Sequence, residues 1–261
     1  MSDLRDRLST LTDRVSNRLI WRFSRSRRPI PTKRPIVSFT FDDVPDTALT
    51  QGAAILEKFD ARGTFYIAGG LTGRVEPDRR LISAEGCREL FARGHEIGCH
   101  TFSHSKIRTL TSRALSDDLD RNLAFLSEAG ISRPPTNFAF PYNAAWPAAR
   151  RVMGRRFSSC RGGGEAINRK AVDPLMLKAV EIRQPDEYAR SLTRWIDDVA
   201  GQPGWLIFVT HDITAEPTPY GCLPGTLERL VSHARDRQCD ILPICEALDR
   251  FGWMEPDRRT P

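Results

Sequence analysis

The chain has 261 residues, 40% of them hydrophobic and 28% charged, which excludes the fibrous, collagen-like and wholly disordered classes. At about 150 residues per domain the length lies between one domain and two, and it also suits a single α/β barrel of roughly 250 residues. Lys and Arg number 39 against 33 Asp and Glu, a net charge of +6; that excess suits an anionic partner without choosing its kind, and no window approaches the ~18 uncharged apolar residues of a membrane span.

Leu4, Leu8, Leu11, Val15 and Leu19 recur at helical spacing, so Asp3 to about Phe23 is expected to be an amphipathic helix. Arg18, Arg22, Arg25, Arg27, Arg28, Lys33 and Arg34 accompany it with no acid among them. From Pro35 the pattern changes to short β-branched or aromatic runs alternating with helical stretches. Strands are expected at 36–40, 63–67, 95–99, 136–140, near Ser158 and Ala179, at 205–209 and at 240–244. Helices are expected at 47–59, through Cys87 to Arg93, at 112–129, near 144–153, at 186–200 and at 226–236. Strand–helix alternation repeated this often implies a parallel sheet. A barrel-like (β/α) fold is the expected geometry, with a doubly wound sheet as the alternative.

Six cysteines form no CxxC pair, and the N-terminus shows no apolar secretory signal. Reduced, buried thiols in a cytoplasmic protein are the simplest account.

Four polar clusters follow four of the expected strands. Asp42 and Asp43 follow the first, His100 to His104 the third, Pro141 to Asn143 the strand 136–140, and Thr210 to Asp212 the apolar run 205–209. In a parallel barrel all strand C-termini open on one face, where active sites are built. His100 and His104 are four apart, so one helical turn would put both imidazoles on one side. An isolated HxxxH is more often a packed or surface pair, but three of the five histidines cluster here. Two imidazoles and one carboxylate would leave coordination positions open for water and substrate. Adjacent carboxylates after an apolar strand repel unless a cation or proton lies nearby; one bound to metal and one free to accept a proton resolves the conflict.

Thr40-Phe-Asp-Asp43, His100-Thr-Phe-Ser-His104, Phe138-Ala-Phe-Pro-Tyr142 and Val209-Thr-His211, in this order, resemble the polysaccharide deacetylases of carbohydrate esterase family four, the NodB-homology domain. The resemblance spans roughly residues 35 to 250. It implies a distorted (β/α) barrel that removes N-acetyl groups from amino sugars with a divalent metal, commonly zinc. Matched residue by residue, it implies Asp43, His100 and His104 as metal ligands and Asp42 as the general base. It further implies His211 as the general acid, and the Tyr142 backbone N–H as an oxyanion donor. Many family members carry an Arg in the third motif where this chain has Ala139, and Arg161 is a candidate replacement. Asp173 is a weak substitute for the acidic residue of the following motif.

Residues 1–34 are thus expected to be a basic amphipathic segment, 35–252 the catalytic domain and 253–261 a tail. The expected partners are an N-acetylated glycan and, through residues 1–34, an anionic membrane surface; no nucleic-acid motif is present. The competing readings are a metal-dependent amidase of small non-sugar amides and a non-catalytic glycan-binding barrel. His95 is expected to pack behind the site, Cys99 to be a small buried residue, Gly162–Gly164 to be a turn, Trp195 and Trp205 to be core, and Asp212 to orient its loop.

Overall fold

A computed structural model describes residues 12, 15–22, 26–182 and 187–254. Among these, residues 15–22 form helix α1; the rest of the expected N-terminal helix, with Leu4, Leu8, Leu11 and Phe23, lies outside the described residues. The alternating core follows as β1 (Ile36–Asp42), α2 (Ala54–Lys58), β2 (Thr64–Ile67), α3 (Ala84–Ala92), β3 (Glu96–Cys99), α4 (Ser112–Glu128), β4 (Asn137–Ala139), α5 (Arg150–Arg156), β5 (Ser159–Arg161), β6 (Val180–Glu181), α6 (Glu187–Gly201), β7 (Trp205–Thr210), α7 (Pro224–Asp236), β8 (Asp240–Ile241) and α8 (Ile244–Arg250).

The strands pair in parallel in the order β5-β4-β3-β2-β1-β7-β6, with β8 beside the start of β1. Leu177 donates to Cys160 O and accepts from Gly162 N on one side, and β6, three residues on, pairs with β7. The sheet therefore curls back on itself into the distorted (β/α) barrel expected from the alternation.

Strand parity sorts the side chains. On β1, Val37, Phe39 and Phe41 pack outward into the layer of helices with Phe65, Leu206 and Phe208, the Phe41 and Phe65 rings stacked at 4.6 Å. The alternate residues Ile36, Ser38, Thr40 and Asp42 take the opposite face, where Ile36 clusters with Trp205, Ile207 and Val209. Ser38 Oγ accepts the Trp205 indole N–H at 2.9 Å, which satisfies a polar group buried in that core. The same parity turns Asn137, Ala139, Ser159 and Arg161 inward while Phe138 and Cys160 pack outward. Gly98 is the small residue that makes room for Tyr66, since a Cβ there would lie 2.4 Å from the ring.

Several element boundaries differ from expectation: the helix expected at 47–59 opens with a π-helical stretch, Ala48–Ala53, before α2, and two further differences turn on a proline. The strand expected over 240–244 ends at Ile241, because Pro243 has no N–H for the ladder and instead stands at the N-cap of α8. Helix α8 then plugs one end of the barrel with Ile244, Ala247 and Leu248. Glu96 accepts the Cys245 N–H at 3.0 Å and the Thr64 hydroxyl at 2.7 Å, and burial pushes its carboxyl above the ordinary range. The helix expected near 144–153 starts only at Arg150, because Pro147 forces Trp146 into an extended conformation (φ −132°, ψ 128°).

Trp205 is buried in the inner core with Ile36 and Ile207, and Trp195 packs, half-buried, against the outer core that holds Phe39, Phe208 and Leu192. All six cysteines are free, five of them buried. No described helix is long and apolar enough to cross a membrane.

Candidate functional site

The ends of β1, β3, β4 and β7 bring the four polar clusters to one rim. The turns after β1, β3 and β4 depart from ordinary backbone: Asp43, Val44, Thr101, His104, Tyr142 and Asn143 all have φ between 52° and 63°. Such left-handed conformations are rare in non-glycine residues, and a β-branched Val in one is an outlier. Their concentration at one rim marks a place where surrounding contacts hold the backbone against its preference.

At the end of β1 this geometry separates the two neighbouring carboxylates. Asp42, still on the strand, points inward to Arg161, whose Nη2 lies 2.5 Å from both of its oxygens. Asp43, one residue past the strand, turns to the histidines: its Oδ1 is 3.0 Å from His104 Nε2 and 3.5 Å from His100 Nε2. The repulsion foreseen for adjacent acids is thus relieved by giving each its own cation or imidazole pair. Burial raises the Asp43 carboxyl, but the imidazoles of His104, His100 and His211 around it outweigh burial and hold it well below the usual range.

His100 and His104 do not share a helical turn. They lie on a loop, the rings 5.0 Å apart. Asp118 of α4 shapes that loop by accepting the N–H groups of Phe102 (2.7 Å) and Ser103 (3.1 Å), and Thr101 Oγ1 accepts that of His104 (2.9 Å). Those N–H groups are thereby spent on side chains, so the convergence of the imidazoles comes from a capped loop and not from helical period.

The ligating atoms of Asp43, His100 and His104 all lie within 4.8 Å of one another. His100 Nδ1 is 2.8 Å from the Ala139 carbonyl oxygen; a carbonyl only accepts, so the ring proton sits on Nδ1 and the Nε2 lone pair faces Asp43. Burial pushes the His100 imidazole down to about 4, against the raising influence of Asp42, so it is neutral near pH 7. Asp43 Oδ1 is buried and accepts no well-directed hydrogen bond, while Oδ2 is met by Arg79 at 3.2 Å. The neutral His100 imidazole beside that of His104, a buried carboxylate oxygen with no well-directed donor and a partly open rim fit a divalent cation with free coordination positions.

His211 follows β7, its Nδ1 3.3 Å from the Tyr220 carbonyl oxygen, and its charge reaches Asp43. Asp212 orients this loop as expected, accepting Thr218 N (2.7 Å) and Thr218 Oγ1 (2.6 Å). Tyr142 stands at the rim with its ring 4.8 Å from that of His104.

The remaining expectations sort cleanly. His95 lies outside the site: its Nδ1 accepts the Gly63 N–H and its Nε2 pairs with Glu57 at 3.0 Å. Cys99 is buried and hydrogen-bonded to Asn122. Asp173 pairs with Arg150 and caps the short turn after it. Arg161, the candidate replacement for the third-motif Arg, does reach Asp42. Sequence reasoning missed Arg79, Asp118 and Glu181, and it named Asn143 only as a member of the polar cluster 141–143, with no role. Asn143 accepts from Arg161 Nη1 (3.0 Å) and donates to Glu181 Oε1 (2.6 Å); only its place beside Tyr142 in the third motif could have signalled it.

Residues 30–155 match the family model described as polysaccharide deacetylase. A chitin deacetylase from Colletotrichum lindemuthianum is 33% identical over 95 residues, covering 33% of this chain and 37% of its own length. A peptidoglycan-N-acetylglucosamine deacetylase from Bacillus cereus is 31% identical over 114 residues, covering 42% of this chain and 50% of its own. The chain therefore spans half or less of the length of these relatives. Among solved structures, a family 4 acetyl xylan esterase from Clostridium thermocellum, in complex with a cobalt ion, superposes with a TM-score of 0.59 at 23% identity, over 83% of this chain and 92% of that one. A family 4 carbohydrate esterase from Streptomyces lividans, in complex with acetate, does so with a TM-score of 0.53 at 14% identity, over 79% and 91%. These two similarities carry the fold.

Proposed function

We propose that this chain, which carries a polysaccharide deacetylase family domain over residues 30–155, is a metal-dependent hydrolase that removes N-acetyl groups from the amino sugars of an oligo- or polysaccharide. The observation that carries the reading is the gathering of Asp43, His100 and His104 within 4.8 Å on the rim that also bears Asp42, Tyr142 and His211.

Asp43, His100 and His104 would hold a divalent ion, zinc by the chemistry of the donor set, which when bound polarises the acetamide carbonyl and acidifies water. Asp42 accepts the proton of the attacking water; Arg161 pairs its charge and fixes its orientation. The Tyr142 N–H donates to the oxygen on which negative charge develops as the carbonyl carbon becomes tetrahedral. His211, held through Nδ1 by the Tyr220 carbonyl, presents Nε2 to the sugar nitrogen and delivers the proton with which the amine leaves. Water is consumed, the C–N bond breaks, and acetate and a free amino sugar are the products.

Acetate should be released from N-acetylglucosamine oligomers or peptidoglycan fragments, lost on chelation and restored by Zn2+. Acetylated xylan serves as the ester control. If metal-loaded protein releases acetate from none of these glycans but hydrolyses small amides, the small-amidase reading replaces this one.

Six free cysteines fit a reducing compartment, and we place the protein in the cytoplasm. We also place residues 1–34 against an anionic membrane surface. Val15 and Leu19 are each 47% exposed, with Arg18 and Arg22 exposed beside them, and each basic residue near such a surface contributes about 1 kcal/mol. The full chain should sediment with phosphatidylserine vesicles at low salt, and Leu19→Glu should weaken this. Equal sedimentation of wild type with neutral and anionic vesicles would reject the contact.

A further inference from the structure

The turn bearing the Tyr142 N–H cannot hold its own shape. Tyr142 and Asn143 stand side by side at φ 59° and 52°, and successive left-handed non-glycine residues persist only where neighbours over-determine them. On its inner side the turn is tied by the Asn143 amide to Glu181 and to Arg161, the guanidinium that holds Asp42.

On its outer side it is tied to α1. Asn17 Nδ2 donates to the Asn143 carbonyl at 2.7 Å, and Ala145 N donates to Asn17 Oδ1 at 3.1 Å. Ser16 Oγ donates to the Ala145 carbonyl at 2.8 Å. These contacts bury two polar side chains on a helix whose Ile20 and Trp21 also pack on the core. Ser16 and Asn17 are 4% and 8% exposed, while Val15 and Leu19 on the same helix are half exposed. Polar side chains are buried only where their hydrogen bonds are met, and here three of the bonds that meet them go to the backbone of residues 143 and 145. Trp21 fastens the same helix further along, its indole N–H donating to Met176 O at 3.0 Å.

We propose that Asn17, assisted by Ser16, is a positioning residue for the reaction: it holds the Tyr142–Asn143 turn so that the oxyanion donor faces the oxygen of the scissile carbonyl while the Arg161–Asp42 pair faces the water that attacks its carbon. This rests on the deacetylase reading above. The family model begins at residue 30, so the restraint comes from outside the matched domain. Asn17 touches neither the metal-ligating residues nor the substrate; it acts through Asn143.

The test compares wild type, Asn17→Ala and Asn17→Asp as full chains. The Asp variant keeps the acceptor for Ala145 N–H and puts an oxygen against the Asn143 carbonyl. A displacement of about 1 Å at a reacting group can cost 10²-fold, so kcat should fall about 10- to 100-fold in both. KM should stay within about twofold, and metal content and thermal midpoint should be near wild type. Amide hydrogen exchange, which needs no substrate, should quicken in residues 140–146 and stay unchanged elsewhere. An unchanged kcat overturns the proposal, as does faster exchange throughout the barrel with activity lost in proportion to folded protein. If wild type releases no acetate from any glycan, the deacetylase reading fails separately; unchanged exchange at 140–146 in Asn17→Ala then overturns the restraint, and local quickening sustains it.

Discussion

His104→Ala should abolish stoichiometric metal binding and turnover together. His104 Nε2 is the imidazole nitrogen nearest to Asp43 Oδ1, at 3.0 Å against 3.5 Å for His100, and without it only two of the three gathered ligands remain. Changes to groups that merely orient ligands cost about 10- to 100-fold in affinity or activity, so removing a ligand should cost more. The competing account is an ion-pair cluster in which Asp43 is neutralised by Arg79 and the histidines. That account asks His100 for a positive charge, yet burial keeps its imidazole neutral until the pH falls to about 4. It also leaves Asp43 Oδ1 without a well-directed donor, an expensive condition for a buried carboxylate. As pH falls, protons compete for the ligating nitrogens, so metal should leave on acidification and not on raising the pH. Metal per chain after dialysis, measured by elemental analysis, decides the matter: equal content in wild type and His104→Ala reduces the cluster to an ion-pair network. His104 is at the rim and only partly buried, so the substitution leaves no core cavity to confuse the result.

Asp42→Asn should keep the metal and lose the rate. The amide has the shape of the carboxylate but cannot accept the proton of water, and general-base catalysis is worth about 10² to 10⁴ in rate. The substitution also removes the partner of a buried guanidinium, since Arg161 and Asp42 side chains are 1% and 5% exposed. Breaking such a pair from one side costs about 3–5 kcal/mol of stability. Turnover must therefore be compared below the variant's own unfolding transition, checked by circular dichroism. Metal content should stay at wild-type level, because Asp43, His100 and His104 are untouched. His211→Ala should lower turnover in the same sense, most for substrates with poor leaving amines. A pH–rate profile with both limbs unchanged in both variants would remove Asp42 and His211 from these roles.

Much of the site was legible because it depends on short-range rules. Apolar runs of four to seven residues marked the strands, and a polar cluster directly after a run marked a strand end. Parallel topology then required those ends to meet on one face, which is how Asp43, His100, His104 and His211, up to 168 positions apart, could be assigned to one rim. The strand expected to end at Thr40 in fact runs on to Asp42, and period two along it turns Asp42 into the barrel and leaves Asp43 beyond it.

The sequence by itself therefore determined the strand–helix alternation and the common face on which the four polar clusters meet. Only the tertiary structure decided what each of them touches. His100 and His104 have helical spacing, but Asp118, from a helix that begins eight residues after His104, captures the N–H groups of the intervening loop and shapes it. Arg161 reaches Asp42 across 119 residues because the ring curls and sets β5 across from β1. Ser16 and Asn17 of α1 face inward because the left-handed turn at Tyr142 and Asn143 leaves backbone groups that they can meet. Periodicity and propensity are properties of neighbouring residues and can be read along a line. A hydrogen-bond partner is chosen by which polar group is left unmet once the barrel has closed, and that is known only in three dimensions.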